Sequence, residues 1–184
     1  MKDETLVKQI VEGNDHAMRI LYDRYFQSLF QYAYVQMGDY HIAEEVTQDI
    51  FCKMARNLHA FKGKSSFKTW LYSIGRNVVI DHHRTLKRHR RSIVMPEVKE
   101  ELLGMTIPFL QQAESELHEN VVTCLNQLPG DYKMVIHLRF IEEFSVRETA
   151  KVMSKTVLSV KSLQHRAKKR LLELFESEVG GNET

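Results

Sequence analysis

The chain has few of the residues that staple, break or span. Its two cysteines in 184 residues, Cys52 and Cys124, stand in different segments with no C-x-x-C, which argues against a disulfide framework or a zinc ribbon. Cys124 falls on an apolar stripe and is expected in the core. Three prolines and eight glycines exclude collagen-like and low-complexity chains, and an apolar share of 43% is too high for a wholly disordered one. No apolar run approaches the roughly eighteen residues of a membrane span, and Met1-Lys2-Asp3-Glu4 opens no signal-peptide core. A soluble cytoplasmic protein, with no membrane insertion of its own, is expected. H-E-x-x-H, G-x-S-x-G and phosphate-loop patterns are missing. His82-His83 has no acidic residue at ligand spacing, and Arg84, Lys87 and Arg88 beside it would repel a cation. No enzyme, metal site or cofactor is expected.

A dominant charge is missing as well, with 26 Lys and Arg against 24 Asp and Glu and a net charge of +2. That balance is a cancellation of unlike blocks. Residues 1–54 carry 5 basic and 9 acidic side chains, 55–91 carry 10 and 1, 92–143 carry 3 and 9, and 144–184 carry 8 and 5. Two basic zones alternating with two acidic ones suit a protein that holds a polyanion at two places and offers acidic surface to a basic partner.

Apolar residues recur at spacings of three and four almost throughout, and the alternating runs that mark strands are missing, so the fold class is all-α. One or two helices over 5–35 break near Gly38-Asp39. A helix over about 41–58 aligns Val46, Ile50, Phe51, Met54 and Leu58. A long helix starts near Phe67, capped by Ser65 or Ser66, with Phe67, Trp70, Leu71, Ile74 and Val78 on its buried stripe and Tyr72, Arg76, Ile80, His83 and Lys87 opposite. The period fails between Arg84 and Ser115, where Pro96, Gly104 and Pro108 are scattered; this reads as a linker. The expected organisation is a first domain over 1–91, a linker over 92–115, a second domain over 116–177 and a tail over 178–184.

In the second unit a helix carrying Leu117, Val121, Cys124, Leu125 and Leu128 ends at Pro129-Gly130, and another spans about 131–141. Ser145-Val146-Arg147-Glu148 then forms a capping-box pattern, the mark of a sharp helix start. Val146, Ala150 and Met153 share a face. After Ser154-Lys155-Thr156 a helix runs from about Val157 to Phe175, apolar along Val160, Leu163, Ala167, Leu171 and Leu174. Its other side shows Lys161, Ser162, His165, Arg166 and Lys169. Two short helices, the second with a basic outer face, make a helix-turn-helix able to enter the major groove.

Ala43-Glu44-Glu45-Val46-Thr47-Gln48-Asp49-Ile50-Phe51 resembles the A-E-D-x-x-Q-[ED]-x-F signature of bacterial RNA polymerase sigma factors of the extracytoplasmic-function type. Phe67 to Asn77, with Ile80-Asp81 and Arg84, resembles their F-x-x-W-L-x-x-I-A-R-N-x-x-x-D. Leu128-Pro129 with Tyr132-Lys133, the Glu148 helix, and Val160-Lys161-Ser162 with His165-Arg166-Ala167 resemble their promoter-binding C-terminal domain. Together the three cover nearly the whole chain in order.

The resemblance implies an alternative sigma factor that binds polymerase core, reads −35 and −10 elements and helps open the duplex. Glu45, Gln48 and Asp49, at i, i+3 and i+4 opposite the apolar stripe, would dock on the clamp helices of the largest polymerase subunit, with a further contact to the flap of the second-largest. The loop carrying Lys62, Gly63, Lys64, Ser65 and Ser66 would capture a flipped base of the −10 element, and Tyr72, Arg76, Asn77, His83 and Arg84 would contact bases or backbone there. Ser159, Lys161, Ser162, His165, Arg166 and Lys169 would read the −35 element. The chain departs from the family where Leu163 and Gln164 replace a usual Arg-Leu and Ser154 stands for a turn glycine, so one basic contact is expected to be lost. Such proteins are commonly restrained by an anti-sigma factor, a further expected partner. Two other readings stay open: a helix-turn-helix regulator that never joins polymerase, and a sigma-like helper without initiation activity of its own.

Overall fold

A computed structural model of the chain describes residues 1–92 and 123–180, with side chains described over 1–88 and 123–177. The stretch read as linker from Arg84 is helical up to Ser92, so the helix before it runs longer than expected; residues 93–115, and Leu117 and Val121 of the helix expected from 116, lie outside the described residues. Among the described residues all regular structure is helical: α1 (Asp3–Val11), α2 (Asp15–Met37), α3 (Tyr40–Asn57) with a 3-10 turn (Leu58–Ala60), α4 (Phe67–Ser92), a short stretch over 123–127, α5 (Gly130–Ile136) unwinding into a π-type turn (His137–Ile141), α6 (Val146–Met153) and α7 (Val157–Gly180).

The helix starts are written in single side chains. Asn14 accepts from the amides of His16 and Ala17 at 3.0 and 3.3 Å, Asp39 from Ile42 at 2.8 Å, and Ser66 Oγ from Thr69 at 3.2 Å, so Ser66 is the cap of α4. In the first unit α2, α3 and α4 enclose Leu21, Leu29, Tyr32, Val46, Ile50, Met54, Phe67, Leu71 and Val78. Gly75 lets α4 approach closely: a Cβ there would meet Ile50 Cδ1 at 3.3 Å and Tyr32 Cε1 at 3.4 Å. In the second unit Leu128, Val135, Leu138, Ala150, Met153, Val160, Leu163, Ala167 and Leu174 are buried together with Cys124, the core position expected of that thiol, while Cys52 is exposed.

The two units pack on each other, and the contact falls on a face expected to be open. Lys68, Tyr72, Arg76 and His83 recur along the side of α4 turned toward α5 and α6. Tyr72 is wholly buried, its ring 5.4 Å from Tyr32 and 5.1 Å from Phe144. The outward-facing Tyr72 expected from the sequence is therefore corrected. Helix α4 buries two sides, Phe67, Leu71 and Val78 against α2 and α3, and Tyr72 with Val79 toward the second unit, whereas Trp70 and Ile74 are half-buried. A single-stripe reading assigns one of those sides to solvent.

Candidate nucleic-acid interface

The loop before α4 is anchored at its ends and open in its middle. Phe61 packs on Phe67 and Trp70 with ring centroids 5.6 and 5.3 Å apart, and Ser66 caps the helix. Between them Lys62, Gly63 and Lys64 are exposed and Ser65 is half-buried. Gly63 sits at φ +68°, a left-handed conformation that costs glycine least, and this turns both lysines outward. Lys151 of α6 donates to the Lys64 carbonyl at 3.4 Å, bringing a third ammonium group to the same place.

On α4 the expected residues divide. Asn77 and Arg84 face water, and Arg84 lies 3.8 Å from Asp81. Tyr72, Arg76 and His83 turn into the seam between the units. His83 is half-buried, and burial first, then the charges of Lys133 and Lys87, hold its pKa below the ordinary imidazole value. Burial likewise pulls the Lys133 ammonium down.

The seam is polar. Lys68 Nζ donates to the Glu142 carboxylate and to its backbone carbonyl, both at 3.0 Å, and its ammonium stands 5.1 Å from the Phe144 ring. Buried His137 approaches the other Glu142 oxygen at 3.4 Å, and the Thr69 hydroxyl donates to Glu148 at 3.4 Å. Burial pushes the Glu142 carboxyl up, but hydrogen bonds from His137 and Lys68 outweigh it and the net direction is down. The Tyr32 hydroxyl and Arg76 Nε are buried without a hydrogen-bond partner among the described residues. Neither Lys68 nor the His137 and Glu142 pair was singled out by the sequence. Their pairing joins positions 74 residues apart, which no local pattern reveals.

Helix α3 presents Glu45 and Gln48 to solvent, as its spacing predicts. Asp49 is half-buried because His82 Nε2 of α4 meets its carboxylate at 2.9 Å, and Lys53 reaches Asp81 at 3.4 Å. Two of the three stripe residues are thus free at the surface, and the third is held by α4.

The helix-turn-helix forms as its motif predicts. Ser145 Oγ accepts from the Glu148 amide at 3.2 Å while Glu148 accepts from the Ser145 amide at 2.9 Å. Ser154 takes φ 51° and ψ 43°, supplying the left-handed turn without a glycine. Ser159, Lys161, Ser162, His165, Arg166 and Lys169 are all exposed on α7. Gln164 accepts from Arg139 Nε at 3.0 Å, Arg139 also donates to the Phe144 carbonyl, and Leu163 is buried. The departure at 163–164 therefore serves internal packing. Val157 and Leu158, outside the expected stripes, are apolar and exposed in the first turn of α7.

Two helical modules, one with a lysine loop before a long helix and one with a capped helix-turn-helix, define a nucleic-acid-binding protein. Residues 21–89 match the family described as Sigma-70 region 2, and residues 118–171 match Sigma-70, region 4. The chain is 32% identical over 178 residues to the ECF RNA polymerase sigma factor SigX of Bacillus subtilis, covering 92% of this chain and 90% of that one. It is 29% identical over 180 residues to the ECF RNA polymerase sigma-E factor of Escherichia coli, with 93% of each chain covered. The fold matches the sigma factor RpoE of Bartonella quintana, solved with the anti-sigma factor NepR (TM-score 0.71, 22% identity, 86% of this chain and 96% of that one). It also matches CnrH, solved with the cytosolic domain of CnrY (TM-score 0.70, 24% identity, 95% and 97%). The chain belongs to the sigma-70 family, in its extracytoplasmic-function group of alternative transcription initiation factors. Among the described residues no helix is long and apolar enough to cross a membrane.

Proposed function

We propose that the chain binds RNA polymerase core through Glu45 and Gln48, with Asp49 joining when His82 releases it, and directs the enzyme to promoters read at two elements. The exposed acidic and amide stripe suits the basic clamp helices of the largest subunit, and complementary charge sets orientation and association rate. The second module would reach the flap of the second-largest subunit. The loop Lys62, Gly63, Lys64, Ser65 and Ser66 receives a −10 base as it leaves the stack, and Asn77 and Arg84, farther along α4, contact the DNA beyond it. No covalent step is needed: neutralised phosphates and a polar receiving pocket lower the cost of unpairing. Ser159, Lys161, Ser162, His165, Arg166 and Lys169 on α7 read the −35 element. The observation that carries this reading is the order of the two matched regions on one chain, each with its polar residues turned outward.

Tyr72, Arg76 and His83 belong to the same −10 surface and are covered by the second unit. We infer that the two units part before the promoter melts. An anti-sigma partner is proposed as well, supported by the two structural neighbours, each solved with a second protein. Purified core and this chain on a linear promoter library test the reading. Specific run-off transcripts support it; core binding without transcripts leaves a helper, and DNA binding without core binding leaves a regulator.

A further inference from the structure

Leu158 is 79% exposed in the first turn of α7, the most exposed of three apolar residues that this helix shows to solvent among the described residues, with Val157 beside it at 39% and Leu172 four turns on at 57%. A single exposed leucine needs no explanation on an ordinary surface. This one has a particular address. Leu158, Ser162, His165 and Lys169 follow at i, i+4, i+7 and i+11, so they form one outward line on α7, directly opposite buried Val160, Leu163, Ala167 and Leu174. The Ser159 amide donates to Thr156 Oγ1 at 3.1 Å, capping the helix and fixing the rotation of its first turn.

The first turn of a recognition helix meets base edges when the helix enters the major groove. Every base-pair edge there offers donors and acceptors, and the apolar feature is the C5 methyl of thymine. Lys161, His165, Arg166 and Lys169 around Leu158 match phosphates, which makes DNA the occupant of this face. We propose that Leu158, flanked by Val157, reads a thymine methyl in the −35 element. The proposal rests on α7 being the −35 reader. It makes Leu158 a specificity determinant, alongside the hydrogen-bonding residues of the same line.

Replacing thymine by uracil removes the methyl and nothing else. Holoenzyme assembled from polymerase core and the full chain is assayed on a promoter taken from selection of random −35 sequences, with each −35 thymine changed to uracil in turn. One position is expected to lose about fourfold in open-complex formation, the factor to which ~0.8 kcal/mol for a methyl-sized apolar group converts. Holoenzyme carrying Leu158→Ala is expected to treat thymine and uracil alike at that position. Alanine favours the helix and removes no core contact, so the urea midpoint of the variant should not fall. Equal activity of the wild-type holoenzyme on thymine and uracil at every position overturns the proposal, as does discrimination that survives in Leu158→Ala. Absence of specific transcripts from any promoter overturns the sigma reading itself, and the proposal with it.

Discussion

Ser145 and Glu148 show how much one pair of side chains decides. Their reciprocal hydrogen bonds satisfy two amides at the start of α6, and the Ser145 hydroxyl is the main cause holding the Glu148 carboxyl below its usual range. Ser145→Ala is expected to cost about 1 kcal/mol, read as a lower urea midpoint with unchanged slope. Gln164 makes the opposite point. Beside Leu163 it reads as a lost basic contact, but its amide oxygen holds Arg139, 25 residues away. Gln164→Ala should therefore cost about 1 kcal/mol of stability and leave binding to a −35 duplex within about twofold. A fall in affinity with stability unchanged would return Gln164 to the DNA surface. The capping box was legible because its partners lie three residues apart; the Arg139 tie was not, because nothing local announces it.

At the scale of elements, α4 is where the sequence reading was half right. Its start, cap and first buried side follow from Ser66, Phe67, Leu71 and Val78. The side with Tyr72 and Arg76 has the same mixture of aromatic and basic residues whether DNA or a neighbouring helix covers it, so periodicity cannot choose. Gly75 fixes how near α4 comes to α2 and α3. Gly75→Leu is expected to destabilise by about 3 kcal/mol or more, because Ile50 and Tyr32 already stand at contact distance. The same helix carries a titrating group. His83 meets Lys133 from α5, Lys87 and His82 from its own helix and the Gln36 backbone from α2, and burial depresses its folded pKa. Between that folded value and about 6.5 the unfolded chain binds the extra proton, so stability rises with pH in this window and is lost as pH falls below about 6.5. Thermal unfolding should show the midpoint dropping as pH falls below about 6.5, with a shallower drop in His83→Asn. An identical slope in the variant would assign the dependence to other histidines.

For the whole molecule, the question is what holds together the two units whose parting is proposed above. Glu142 accepts from Lys68, with the His137 ring 3.4 Å from its other oxygen, in a seam that also buries Tyr32 and Arg76 polar atoms, and the polar part of such a seam loses less on opening than an apolar one of equal area. Charge segregation along the chain was legible, with 10 basic against 1 acidic residue over 55–91, and it is the ground on which a −10 surface is proposed there. That the second unit sits on part of this surface was not legible, because the seam joins residues from four helices and one turn. Glu142→Lys puts two ammonium groups where an ion pair stood, on the unit that carries none of the −10 residues. A compact chain of this length has a radius of gyration of about 16 Å, and scattering from the wild-type protein should lie near it. The variant should scatter with a clearly larger radius while keeping its helix content. If it also uncovers Tyr72, Arg76 and His83, its affinity for single-stranded −10 DNA should rise several-fold at fixed salt, and the affinity of both proteins should fall steeply as salt increases. An unchanged radius in Glu142→Lys would mean that the ion pair does not hold the units. A larger radius with no gain in affinity would separate closure from the covering of the −10 surface.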